Sequence, residues 1–384
     1  MTDLLRQEIA ATAQMVVVKV GTRVLTRDDG SLNRDRIASL AQQLAAIRDS
    51  GRRVVLVSSG AVGAGMNRLE IKRRPNDLAM LQAVAAVGQT RLIEAYDATF
   101  RHHHCHAAQV LLTAEDFDDR TRYLNVRNTL LSLLRLNAIP VINENDTVAV
   151  DELMTTFGDN DRLAALVTNL LRAPLLIVLS DVDGLYDGDP AAPRTRVVET
   201  ITRIDDALDS YIHTSPDSLS KGGMASKIDA AQMVTSAGEN MVIASGREED
   251  VLARILAGEN VGTLFLAQGK SISPWKRWIG FSVQPRGKLS LDAGACRAIE
   301  EHGRSLLSIG VTSVDGDFVK GDAVIMCSPD GVELARGLTN YSSDEIRRIA
   351  GRSSEEFADL LGHRPYDEVV HRDNLAILRA DRGD

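Results

Sequence analysis

Cysteine is scarce in this chain: Cys105, Cys296 and Cys327 are scattered through 384 residues. So few thiols give no disulfide framework, and their spacing offers no cysteine metal site. Basic charge is also short, with 44 Lys and Arg against 53 Asp and Glu, a net charge of −9 and a pI near 5.5. That balance argues against broad affinity for nucleic acid or acidic membrane surfaces. No apolar run is long enough to span a bilayer, and residues 1–10 hold no apolar signal core. These absences lead us to expect a cytoplasmic protein with no membrane partner. Internal repeats and low-complexity tracts are missing too, as are the Walker pattern G-x-x-x-x-G-K-[ST] and the dinucleotide fingerprint G-x-G-x-x-G.

What is present is an ordinary globular composition, 44% hydrophobic and 25% charged, in a chain long enough for more than one domain. Short apolar, β-branched runs lie at 16–20, 54–58, 108–112, 140–143, 175–179 and 241–244. Between them, residues 37–50, 77–100, 121–137 and 161–171 space their apolar positions at three to four. Repeated strand–helix units predict an α/β fold with a mostly parallel sheet sandwiched by helices. Ligands of such sheets sit beyond the carboxyl ends of the strands. The rhythm breaks at 268–277, which reads as a linker, and glycine-punctuated strand pieces follow. The expected organisation is therefore a first domain over 1–267, the linker, a small β-rich domain over 278–375, and a tail over 376–384.

Five clusters at predicted strand ends carry chemistry. Val16-Val-Val-Lys-Val-Gly-Thr22 places Lys19 within an apolar run, where it needs an anionic partner, and ends at Gly21. Val57-Ser-Ser-Gly-Ala-Val-Gly63 brings hydroxyls and Gly60 to a helix start, where free N–H groups suit phosphate. Glycines that merely end strands explain either turn equally well. Ile142-Asn-Glu-Asn-Asp146 and Phe157-Gly-Asp-Asn-Asp161 supply amides and carboxylates able to grip an amino acid, the carboxylate taking its ammonium and the amide its carboxylate. In the second of these, Asn160 or Asp161 also reads as a simple helix cap. Leu179-Ser-Asp-Val-Asp-Gly-Leu-Tyr186 puts Ser180 and Asp181 where a carboxylate can orient lysines or hold Mg²⁺ through water, with turn formation as the plain alternative. Lys221-Gly-Gly-Met-Ala-Ser-Lys227 sets a second lysine on the first turn of the next helix.

Together, and in this order, these motifs resemble the amino-acid kinase family over about residues 15–375. The tail resembles a PUA domain through Gly287-Lys-Leu289, Asp292-Ala-Gly-Ala295 and Gly310-Val. The resemblance implies ATP-dependent phosphorylation of the γ-carboxylate of L-glutamate, the first step of proline biosynthesis, with ATP and Mg²⁺ as cofactors. It implies that Lys19, Lys227 and Asp181 are catalytic, with Asp181 also positioning the two lysines. It assigns ATP to Lys19, Gly21, Gly60, Ser180, Asp181, Gly222, Gly223, Met224 and Lys227, and glutamate to Ser59, Asp146 and Asn160. No protein-bound metal is expected. Proline feedback inhibition and a dimeric or tetrameric homo-oligomer are also implied.

The chain departs from the family pattern in three places. The segment around Met154-Thr-Thr156 is about two residues longer, Lys221 replaces a threonine, and Arg23 stands where a smaller residue is common. Two further motifs are set aside. The adjacent histidines of Arg101-His-His-His-Cys-His106 cannot all face one ion, and His371-Arg-Asp-Asn374 lacks the companions of a protein-kinase catalytic loop. Competing readings are a sister kinase acting on aspartate, acetylglutamate or carbamate, and an RNA-binding protein. Against RNA stands the balance of residues 278–384, with about 13 Lys and Arg against about 18 Asp and Glu.

Overall fold

The computed structural model describes residues 3–27, 29–148, 160–189, 195–204, 223–268, 273–362 and 366–378. It divides into two compact units, one of residues 1–116, 120–235 and 239–268, the other of residues 117–119, 236–238 and 269–384.

The first unit is built on an eight-stranded sheet. In chain order its strands are β1 (Met15–Val20), β2 (Arg53–Ser58), β3 (His106–Leu112), β4 (Ala138–Glu144), β5 (Leu175–Ser180), β6 (Thr200–Ile201), β7 (Asn240–Ser245) and β8 (Thr263–Phe265). Their spatial order is β3-β4-β2-β1-β5-β7-β8-β6. The pairs β3–β4, β4–β2, β2–β1, β1–β5 and β5–β7 are all parallel. Every residue of β1 and of β5 is buried, as strands covered on both faces must be. The expected parallel sheet is therefore present, with one departure: β8 runs antiparallel to β7. At three residues, and with a two-residue neighbour in β6, it is too short to leave a periodic signal.

Helices α1 (Leu4–Thr12), α2 (Arg34–Asp49), α3 (Ala61–Arg68), α4 (Leu78–His102), α5 (Arg120–Arg135), α6 (Asn160–Leu171), α7 (Met224–Ser236) and α8 (Val251–Leu256) pack around this sheet. Their starts are locally encoded. Asp77 accepts a hydrogen bond from the Met80 N–H at the head of α4, and Asn33 accepts one from the Arg36 N–H at the head of α2. No helix of the described residues is long and apolar enough to cross a membrane.

Helices α3 and α4 touch through glycines. A Cβ on Gly65 would lie 1.9 Å from the Val84 carbonyl oxygen, and one on Gly88 would lie 1.8 Å from that of Ala61. Only bare backbone allows so close an approach. Gly65 therefore belongs to helix packing rather than to a phosphate turn. The contact clamps α4 directly beside Gln89.

The second unit carries a five-stranded sheet of β9 (Gly287–Leu291), β10 (Val311–Gly316), β11 (Ala323–Cys327), β12 (Glu333–Thr339) and β13 (Val370–Ile377), in the order β10-β9-β11-β12-β13. The pair β9–β11 is parallel and the other three pairs are antiparallel. Its core includes Leu289, Val324, Met326, Tyr341, Ile346 and Phe357. Helix α9 (Ser343–Ile349) opens with a capping box between Ser342 and Glu345. His371 and Asn374 lie on β13, an ordinary strand of this sheet.

Candidate active site

The carboxyl ends of β1, β2, β4 and β5 meet at the middle of the first sheet. β1 lies between β2 and β5: the chain runs from β1 through β2, β3 and β4 on one side and then crosses from β4 to β5 on the other. That reversal opens the crevice in which such sheets bind ligands.

Lys19, next to last in β1, is 4% exposed, and Lys227, fourth in α7, is 5% exposed. Both ammonium groups are held by one carboxylate, and it belongs to Asp161. Lys19 Nζ bonds Asp161 Oδ1, and Lys227 Nζ lies 3.1 Å from Asp161 Oδ2. Asp161 is wholly buried in the first turn of α6, where Ser226 Oγ also approaches it at 3.4 Å. Burial alone would push its carboxyl up, but Lys19 and Lys227 outweigh that and hold it below the usual carboxylate range.

Asp181 does not take this place. Its Oδ2 accepts from Arg23 Nη1 at 3.0 Å and its Oδ1 from Ser180 Oγ at 3.2 Å. The expectation that Asp181 positions the two lysines is corrected: Asp161 does so. Asp161 reads from sequence as a helix cap, but the start of α6 delivers its side chain beneath the end of β1. Arg23, one of the departures from the family pattern, sits on the short helical turn Thr22–Leu25 and makes the Asp181 pair at the rim. With burial opposing and Arg23 prevailing, the Asp181 carboxyl also lies below its ordinary range.

Two buried ammonium groups thus converge on one carboxylate. An anionic group arriving between the lysines would meet both in a low-dielectric site, where opposite charges attract most strongly.

The glycines differ in what they contribute. Gly21 donates its N–H to the Leu179 carbonyl at 3.0 Å, so that group is already used. What Gly21 offers is space, since a Cβ there would come within 3.9 Å of Lys19 Nζ. Gly60 has φ +99°, a conformation that disfavours side chains, and it caps the start of α3, where no side chain among the described residues caps the first N–H groups. Gly223 and Met224 lead into α7, while Gly222, Lys221 and the segment 149–159 with Met154–Thr156 lie outside the described residues.

Beside the lysines lies a chain of amides. Asn160 Nδ2 donates to Ser59 Oγ at 2.8 Å, to Asn143 Oδ1 at 3.1 Å and to the Ser58 carbonyl at 3.3 Å. Asn143 Nδ2 donates in turn to Gln89 Oε1 at 2.8 Å. The structure thus joins Ser59 to Asn160 and adds Asn143 and Gln89, which the sequence reading did not single out as site residues. Asn143 lies within the quoted Ile142–Asp146 motif, but Gln89 left no signal on the long helix α4. The donors of Asn160 are spent within the protein, so its remaining capacity is as an acceptor. Asp146 follows on the turn after β4, half-buried, and burial pushes its carboxyl up to about 6 against a weaker pull from Arg74.

Comparison with known proteins agrees with this layout. The model of the amino acid kinase family matches residues 14–245, and that of the PUA domain matches residues 287–361. A glutamate 5-kinase from Rhodopirellula baltica is 49% identical over 97% of this chain and 96% of its own length. The glutamate 5-kinases of Thermoanaerobacter sp. and Nitrosospira multiformis are 46% and 45% identical, over 96% and 97% of this chain and 98% and 100% of their own. The chain belongs to the amino acid kinase family, and within it to the glutamate 5-kinases, with a PUA domain following the kinase domain.

Proposed function

We propose that the chain transfers the γ-phosphoryl group of ATP to the γ-carboxylate of L-glutamate, releasing ADP and γ-glutamyl phosphate, the opening reaction of proline biosynthesis. The observation that carries this reading is the pair of buried lysines sharing Asp161 at the ends of β1 and α7. Glutamate's side chain, with pKa near 4.3, is ionised at pH 7 and needs no general base. The obstacle is repulsion between that carboxylate and a polyanionic nucleotide. A carboxylate oxygen attacks the γ-phosphorus while the bond to the β-bridging oxygen breaks, and its electron pair leaves with ADP. Lys19 and Lys227 neutralise the oxygens of the migrating group, Asp161 keeps both ammonium groups aimed at it, and the N–H groups after Gly60 add dipoles.

Ser180 and Asp181, with Gly223 and Met224 at the head of α7, border the nucleotide side. Ser59, Asn160 and Asp146 hold glutamate. Asp161 and Asp181 are each engaged by cations, so Mg²⁺ fits as a companion of the ATP phosphates, where it supplies further charge neutralisation. Proline, sharing the ammonium and α-carboxylate of glutamate, is read as a feedback inhibitor that competes for the glutamate side. A cytoplasmic homo-oligomer, dimer or tetramer, completes the reading.

The test is ADP release measured with glutamate, aspartate and acetylglutamate in turn, with hydroxylamine present to trap an acyl phosphate. Glutamate-dependent release with hydroxamate formation is expected, suppressed by proline. Release indifferent to glutamate, or equal with aspartate, overturns the assignment.

A further inference from the structure

We infer that Gln89 is a positioning residue for recognition of the substrate's α-ammonium group, acting through Asn143 and Asn160. The inference rests on the reading of Asn160 as a glutamate-binding residue.

An amide side chain has a donor arm and an acceptor arm, and which arm faces a ligand depends on what holds the other. Asn143, 3% exposed, is held at both ends: its Nδ2 donates to Gln89 Oε1 at 2.8 Å, and its Oδ1 accepts from Asn160 Nδ2 at 3.1 Å. The Gln89 oxygen thus fixes the Asn143 carbonyl towards Asn160. That carbonyl, with Ser59 Oγ and the Ser58 carbonyl, draws the Asn160 N–H groups inward. The other arm, Asn160 Oδ1, is buried and has no hydrogen-bond partner among the described residues. A buried lone acceptor is costly until a donor reaches it. An ammonium is such a donor; a carboxylate is not.

Gln89 is suited to anchor the relay. It is 7% exposed, and its Nε2 is likewise buried without a partner among the described residues, so the oxygen arm alone is engaged. Its backbone is fixed by the neighbouring Gly88, against which the Ala61 carbonyl and the Gly65 nitrogen of α3 pack too closely for any side chain. The same α3 begins at Gly60, so one rigid contact registers the amide relay to the phosphate side of the site. The outcome is a preference for an amino acid over a dicarboxylate that lacks the ammonium.

The experiment compares glutamate with glutarate, the five-carbon dicarboxylate without an ammonium, the latter as a competitive inhibitor. Gln89→Met keeps the shape and removes the carbonyl acceptor. Gln89→Glu keeps an oxygen facing Asn143 whether it is protonated or not. For Gln89→Met the glutamate KM should rise about tenfold, the loss expected of one hydrogen bond to a charged group, while the glutarate Ki and the ATP KM hold. Gln89→Glu should keep most of the wild-type preference. Equal weakening of both ligands in Gln89→Met, or loss of the preference in Gln89→Glu, would show that Gln89 serves only packing and would overturn the inference. If Gln89→Met does not fold, Gln89→Glu decides alone. Unchanged glutamate KM in Gln89→Met beside a raised one in Asn160→Leu would sink the relay and leave glutamate binding standing. Unchanged KM in Asn160→Leu would remove both.

Discussion

Asp161 and Lys227 meet at 3.1 Å with both side chains almost wholly enclosed, although 66 positions separate them along the chain. The other oxygen of Asp161 is bonded to Lys19, so removing this one carboxylate takes the shared partner from two buried cations. Breaking one side of a buried pair costs about 3–5 kcal/mol. Asp161→Asn, which keeps the shape, should therefore lower the melting temperature at pH 7 and reduce kcat by about 10² or more. The pH dependence has a definite sign. The folded-state carboxyl lies below its unfolded value of about 3.9, so the pair's contribution is complete above that value and fades as acid titrates the folded group. Thermal melts of wild type and Asp161→Asn should differ most near neutrality and converge at the acid end. A gap that stays constant down to pH 3 would show that the ion pairs do not stabilise the fold.

Lys19 is predicted to matter for turnover more than for folding. Lys19→Ala removes one of two ammonium groups and leaves Asp161 paired with Lys227, so the buried carboxylate keeps a partner. The expected result is a kcat loss of about 10² or more, the size seen when one preorganised donor to a charged transition state is removed. Initial-rate kinetics with circular dichroism as a folding control checks it. Unchanged turnover would exclude Lys19 from the reaction.

Asp146 is proposed on the glutamate side, so glutamate binding is predicted to respond to pH in a range where most carboxylates are indifferent. With its carboxyl pushed up to about 6, the group is largely ionised at pH 7.5 and largely neutral at pH 5. Only the ionised form can pair with an ammonium. For wild type, kcat/KM for glutamate should fall about tenfold per unit below pH 6. That for ATP, measured at saturating glutamate, should be nearly flat. In Asp146→Asn the inflection should vanish. An inflection that persists in the variant belongs to another group.

Much of this site could be read from residue order alone, for a physical reason. A strand buried on both faces must be continuously apolar, so β1 and β5 announce themselves, and Lys19 stands out as the one charge in its run. Gly60 comes two residues after β2, and Asn143–Asp146 straddles the end of β4, the end of such sheets at which ligands are expected. Asp161 reads from sequence as part of an amino-acid-gripping cluster or as a cap, not as the lysines' partner, because those lysines come from β1 and α7 and no local pattern encodes a three-body contact. Gln89 was invisible: on a long amphipathic helix one glutamine resembles any other until folding sets Asn143 against it. Gly21 is expected on the ATP side, yet its own N–H is not open to phosphate, because the parallel pairing of β1 with β5 brings it to the Leu179 carbonyl. Gly63 and Gly65 both follow β2 within one glycine-rich stretch, but Gly65 belongs to the contact with α4.

That grouping leads to a prediction in which two glycines of α3 and one of α4 part company. At Gly63 an added Cβ would have the Gly30 carbonyl as its nearest neighbour at 3.6 Å, an ordinary contact. Gly63→Ala should be neutral or stabilising, because alanine favours a helix over glycine by about 0.8–1 kcal/mol. At Gly65 and Gly88 the same methyl would lie within 2 Å of a carbonyl oxygen. Forcing extra volume into a packed contact costs about 1–3 kcal/mol, and backbone cannot yield as a side chain does. Gly88→Ala should therefore melt several degrees below wild type, and Gly63→Ala at or above it. Because α4 can accommodate the methyl only by moving off α3, it would carry Gln89 away from Asn143 as it went. The surviving folded enzyme should then show a raised glutamate KM at an unaltered ATP KM. If Gly88→Ala melts with wild type, the close approach of α3 and α4 is not what holds this end of the site.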